Sequence, residues 1–307
     1  MEPTNAEHLA AIKSYLRESG SYADKSVARL REEMEAASTR FPALPGIRIE
    51  TQAIGHFIGE WVRDEEHVPE SANAVVLYLH GGGFISGTCA FYRDMAARLA
   101  KASGVQVLTI EYRLAPEHPY PAAHEDCLTA YRWLREQGYP AHRIVLGGDS
   151  VGASLALMTL LSLKEAGELL PAGAFLLSPH TDLVNLDGES YRSRAELDPT
   201  GSLAASERIL RDYMTGWSGD FPSLLSPLSM NLQGLPALLI QAGDHEVLLS
   251  DALRLAERAK AAGVDVSLEI WDNMWSVFQA LAYMLPEAQQ AISNVGRFVQ
   301  EQLRIKQ

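Results

Sequence analysis

Two clusters of residues in this chain are spaced for acyl chemistry. Gly148-Asp149-Ser150-Val151-Gly152 sets a serine between two glycines, and about seventy residues earlier His80-Gly81-Gly82-Gly83-Phe84 sets three glycines in a row. The run Val75-Val76-Leu77-Tyr78-Leu79 before the glycines and Ile144-Val145-Leu146 before Gly148 read as short buried strands, while Ser154-Leu155-Ala156-Leu157-Met158 reads as a helix. Ser150 therefore falls on a strand-to-helix turn too sharp for a side chain at position 148 or 152, which leaves its hydroxyl exposed as a nucleophile. That hydroxyl is protonated near neutrality and needs a neighbouring base to take its proton. The glycine-rich loop is the matching piece, able to present backbone N–H groups to a developing oxyanion.

The elements that must position these loops follow from periodicity. Residues 6–38 carry helical spacing (Leu9, Ile12, Leu16, then Val27, Leu30, Met34) broken at Gly20, so two helices precede the first strand. Ile47–Glu50 and His56–Val62 alternate as an antiparallel hairpin. Strands at 74–79, 105–111, 143–147 and 174–178 then alternate with helices at 91–103, 123–136 and 152–165. After a turn-rich stretch with one helical segment, Leu203–Met214, the pattern resumes with strands at 237–241 and 266–271 and helices at 249–262 and 286–303. Such alternation predicts an α/β fold with a mostly parallel sheet covered on both faces.

The chain resembles a bacterial esterase of the hormone-sensitive-lipase-like family, within the α/β-hydrolases. The likeness runs from His80–Gly83 through Glu111-Tyr112-Arg113-Leu114-Ala115-Pro116-Glu117, the serine turn, Ser178-Pro179-His180-Thr181-Asp182-Leu183 and Glu246-Val247-Leu248 to Asn273-Met274-Trp275-Ser276-Val277-Phe278. It implies an α/β-hydrolase fold with an eight-stranded sheet and a helical cap. The cap would comprise residues 1–45 and an insertion at 185–225, and the catalytic domain residues 46–184 and 226–307. It implies carboxylic-ester hydrolysis of short to medium acyl esters, or lactones of similar size, through an acyl-enzyme on Ser150. Gly82, Gly83 and Val151 would supply the oxyanion N–H groups, and Glu246 the acid that orients the base. Phe84, Met34, Leu203, Tyr213, Met214 and Trp217 would line the acyl and alcohol pockets.

At the base the chain departs from the family. The last motif resembles Gly-Met-x-His-x-Phe, and here Met274 and Phe278 keep the register while Ser276 stands in the histidine slot. The order nucleophile, acid, base is that of α/β-hydrolases, and thirty residues between Glu246 and Ser276 suffice for a helix and a strand. Serine has no usable basicity near neutrality, so the chain is expected to be nearly inactive. A single loss among intact motifs suggests an engineered exchange of histidine for serine. Asp244 is the rival acid, and Asp251 is expected to start the following helix. His80 is expected to shape the loop from below, and His245 is the nearest substitute base. His118, His124, His142 and His180 are expected to be structural. His124-Glu125 lacks a second ligand, since position 128 is leucine. Tyr112 and Arg113 are expected to tie loops together.

Bulk properties bound the alternatives. A net charge of −13 disfavours nucleic acid and anionic membranes as partners. The first residues show no signal-peptide pattern and no apolar stretch is long enough to span a bilayer, so a cytoplasmic location is expected. Two separated cysteines fit neither a disulfide framework nor a metal site, and no cofactor is implied. The expected partner is a small ester or lactone, with a homodimer left open. Two alternatives share these motifs: a carbamate hydrolase, and a catalytically silent binding protein like the plant gibberellin receptors, which resemble this family and lack the histidine.

Overall fold

The computed structural model describes residues 4–20, 22–66 and 73–305. Eight strands form one sheet: β1 (Ile47–Ile54), β2 (Phe57–Asp64), β3 (Val75–Leu79), β4 (Gln106–Ile110), β5 (Ile144–Asp149), β6 (Gly173–Leu177), β7 (Ala237–Gly243) and β8 (Val266–Trp271). Their order is β1-β2-β4-β3-β5-β6-β7-β8, antiparallel at β1, β2 and β4 and parallel from β4 onward.

That order follows from what each strand must bury. All five residues of β3 are fully buried, as a central parallel strand requires, and they alternate between two cores. Val75, Leu77 and Leu79 meet the face covered by α4 (Ala122–Glu136), α5 (Val151–Glu165) and α8 (Leu249–Ala261). Val76 and Tyr78 meet the face covered by α3 (Cys89–Ser103) and α9 (Pro286–Leu303). The N-terminal helices α1 (Ala6–Glu18) and α2 (Val27–Ser38) begin at Asn5 and Ser26, each of which accepts the N–H three residues on. Between β6 and β7 lie the short α6 (Ser190–Ser193), which sequence periodicity does not predict, and α7 (Leu203–Tyr213), capped by Ser202.

The strand order also creates the crevice. From β3 the chain winds outward to β4 and, after crossing back, outward the other way from β5 to β8. The loops after β3 and β5 therefore diverge at adjacent strand ends, where Leu79 pairs with Gly148. Open α/β sheets bind ligands at such a switch point, and the glycine-rich loop and Ser150 both emerge there.

Candidate active site

Ser150 sits between β5 and α5 at φ 51°, ψ −120°, a conformation that a non-glycine residue holds only when its surroundings force it. The flanking glycines make the tight turn possible. A Cβ on Gly148 would lie 2.5 Å from the backbone of Gly152, and one on Gly152 would lie 2.1 Å from the Leu79 carbonyl oxygen.

The glycine-rich loop is held by Asp149, a residue the sequence reading passes over. Its buried carboxylate accepts from Tyr78 Oη (2.8 Å), Tyr92 Oη (3.0 Å) and the Gly81 N–H (2.9 Å). Burial pushes this carboxyl up to about 6 against the pull of those donors. Tyr112 Oη donates to the His80 carbonyl at 2.8 Å. The His80 ring stacks on Tyr112 with centroids 4.1 Å apart and donates from Nδ1 to the Gly81 carbonyl at 2.7 Å. Burial lowers His80 to about 4, so it is a neutral prop inside the loop, turned away from base chemistry. Arg113 clamps Asp126 through its backbone N–H and guanidinium, tying the β4 loop to α4.

Glu246 follows β7 and is fully buried. Its Oε2 accepts from Ser178 Oγ at 2.7 Å and the Gly243 N–H at 3.0 Å, while Oε1 is buried with no partner. Burial pushes the carboxyl up to about 8 despite these two donors. Ser178, left-handed at φ 46°, links this acid to the loop after β8, because its hydroxyl also accepts the Val277 N–H at 2.9 Å. Val277 itself stands at φ 56°, costly for a β-branched residue. Asp244 faces elsewhere: it accepts the Asn273 N–H at 2.5 Å and is partly exposed.

A cavity of about 280 Å³ is lined by Ser150, Gly82, Gly83 and Ser276. Tyr22 from the N-terminal segment and Thr200, Ser202, Ser206 and Ile209 from the connection between β6 and β7 also line it. Among the described residues no imidazole is hydrogen-bonded to Ser150. His245 Nδ1 is 2.6 Å from Lys13 Nζ, and the residue lies outside this lining. His124 pairs with Ser162. His180 does line the cavity, but its Nε2 is 3.1 Å from Tyr191 Oη, and burial lowers it to about 4.

None of the six expected pocket residues is on the lining of this cavity. Phe84 stacks on Tyr213 with centroids 3.7 Å apart, both in the core beside Met214. Met34 packs on the opposite core. Leu203 and Trp217 face solvent, 37% and 43% exposed. Helical spacing marks a buried face without saying which cavity it borders. The cavity is instead lined by Phe91 and Tyr92 of α3, Ala205, Ser206 and Ile209 of α7, and loop residues such as Thr200, Val247 and Leu248.

Residues 76–280 match a family described as alpha/beta hydrolase fold. An acetyl-hydrolase of Streptomyces hygroscopicus is 40% identical over 246 residues, 80% of each chain. The crystal structure of an esterase from the bacterial hormone-sensitive lipase family is 39% identical with a TM-score of 0.91, covering 98% of this chain and 99% of that one. The chain belongs to this esterase family. Another such structure, of a crystal soaked with p-nitrophenyl butyrate, is 38% identical with a TM-score of 0.90 over 98% of this chain and all of the other. Family membership makes this an ester-hydrolase scaffold, and the expected eight-stranded fold is the one observed. No helix among the described residues is long and apolar enough to cross a membrane.

Proposed function

We propose that the chain is a carboxylesterase scaffold for short to medium acyl esters or lactones, nearly inert because position 276 lacks an imidazole. The observation that carries this reading is the unpartnered, buried Oε1 of Glu246, whose other oxygen is joined through Ser178 to Val277, the neighbour of Ser276 on the cavity that Ser150 lines. Buried carboxylate oxygens are otherwise hydrogen-bonded, and an imidazole on residue 276 would donate Nδ1–H to this one while Nε2 takes the Ser150 proton. Residues 1–45 and 185–225 would form the cap, with residues 1–3 and 21 outside the described part. Residues 46–184 and 226–307 would form the catalytic domain, with residues 67–72 and 306–307 likewise outside it.

In the complete reaction Ser150 Oγ attacks the ester carbonyl and the base takes its proton. The N–H groups of Gly82, Gly83 and Val151 hold the oxyanion, and the alcohol leaves with that proton. Water then attacks the acyl-serine by the same route. In this chain the first proton has no acceptor. A cavity of about 280 Å³ favours short acyl groups, since pockets for drug-sized ligands run to roughly 300–1,000 Å³. Soaking crystals with p-nitrophenyl butyrate should leave the ester intact, its carbonyl oxygen toward Gly82, Gly83 and Val151. A carbonyl turned away from those amides refutes the assignment.

A further inference from the structure

Gly83 is under a contact that this reaction scheme does not use. A Cβ on Gly83 would lie 1.9 Å from Tyr22 Oη, so the phenol hydroxyl fills the space that a side chain on the oxyanion loop would take. The oxygen is buried, has no hydrogen-bond partner, and belongs to a ring that lines the cavity with Ser150. Burial pushes the phenol far above its ordinary value, leaving it a neutral O–H donor.

The ring is also fixed in place. Arg208 of α7, itself buried, donates to the carbonyls of Tyr22 at 2.7 Å, Ala23 at 3.3 Å and Lys25. Its guanidinium carbon lies 5.4 Å from the Tyr22 ring centroid, and Asp212 accepts from its Nε at 3.0 Å. A donor held rigidly beside an oxyanion loop, with nothing in the protein to donate to, is built for an acceptor that arrives with the ligand.

We propose that Tyr22 Oη is a further hydrogen-bond donor to the carbonyl oxygen of the bound ester, delivered by the N-terminal segment and complementing the amides of Gly82 and Gly83. The proposal rests on the oxyanion reading above. The site is then complete only while residues 22–25 are docked on Arg208.

The test uses ethyl butyrate labelled with ¹³C at the carbonyl, bound to the full chain and read by its infrared stretch. With the chain as it stands, the stretch should fall below its value in water, and in Tyr22→Phe part of that fall should be lost. A fall that is unchanged in Tyr22→Phe overturns the proposal and spares the amide assignment, whereas no fall in the unsubstituted chain overturns the amide assignment itself. In a Ser276→His background, Tyr22→Phe should lower kcat about 10²–10³-fold with KM within about twofold. A purely structural tyrosine would instead lower Tm and raise KM. Should Tyr22→Phe fail to fold, ¹³Cζ-tyrosine NMR of the unsubstituted chain replaces it. The Tyr22 resonance should shift on adding ethyl butyrate, and a resonance that does not move overturns the proposal.

Discussion

Ser276→His should convert this protein into an active esterase in one step. The receiving partner is already present: Glu246 Oε1 is buried without a hydrogen bond, and the carboxyl, pushed up to about 8, is mostly neutral at pH 7. An imidazole donating Nδ1–H to that oxygen favours the carboxylate and stabilises the imidazolium formed when Ser150 loses its proton. Removing a triad histidine costs about 10⁶ in turnover, roughly 8 kcal/mol of barrier, while donors and binding retain about 10³–10⁴ over water. Restoring it should recover a gain of that order, bringing kcat toward the typical value of about 10 per second. The assay is release of p-nitrophenol from the acetate and butyrate between pH 5 and 9, beside a thermal melt. The activity of the variant should rise with pH as the imidazole deprotonates. A variant that melts normally yet stays at parental rates with all short esters and lactones refutes the reasoning, and a ligand-binding role replaces it.

In that restored background Glu246→Gln should lose activity by orders of magnitude and Asp244→Asn far less, because Asp244 accepts from Asn273 at the loop exterior. The reverse ranking moves the acid to Asp244. In the unsubstituted chain Glu246 should make stability fall with rising pH. Its folded pKa of about 8 lies above the ordinary 4.5, so the folded state holds the proton more tightly. The stabilisation is then full below about 4.5 and is lost between there and about 8, a change of a few kcal/mol. Glu246→Gln, which does not titrate, should gain urea stability relative to the parent across that window, and a difference independent of pH would contradict the burial argument.

The framework of the site was legible because it depends on local constraints. Gly148 and Gly152 flank a turn whose side-chain space is taken by nearby backbone, so sequence spacing alone locates Ser150. β3 and β5 could be read from continuous apolar runs, since a strand buried on both faces tolerates little else. The register of Met274 and Phe278 likewise located position 276, which the structure sets on the same cavity as Ser150.

The lining of this cavity was not legible, because it gathers residues from segments far apart in the sequence. Phe84 and Tyr213 looked like ligand contacts and are stacked in the core, while Thr200, Ser202 and Ser206 reach the cavity as ordinary polar residues of a connection. Asp149, Ser178 and Tyr22 act through partners distant in sequence: Asp149 through Tyr78 and Tyr92, Ser178 through Glu246 and Val277, Tyr22 through Gly83 and Arg208. By itself the sequence determined which loops border the cavity with Ser150, since turn geometry and strand burial are properties of neighbouring residues. Which buried polar atoms find a partner, and which are left waiting like Glu246 Oε1 and Tyr22 Oη, only the tertiary structure decided, because satisfaction of a hydrogen bond depends on groups brought together across the whole fold.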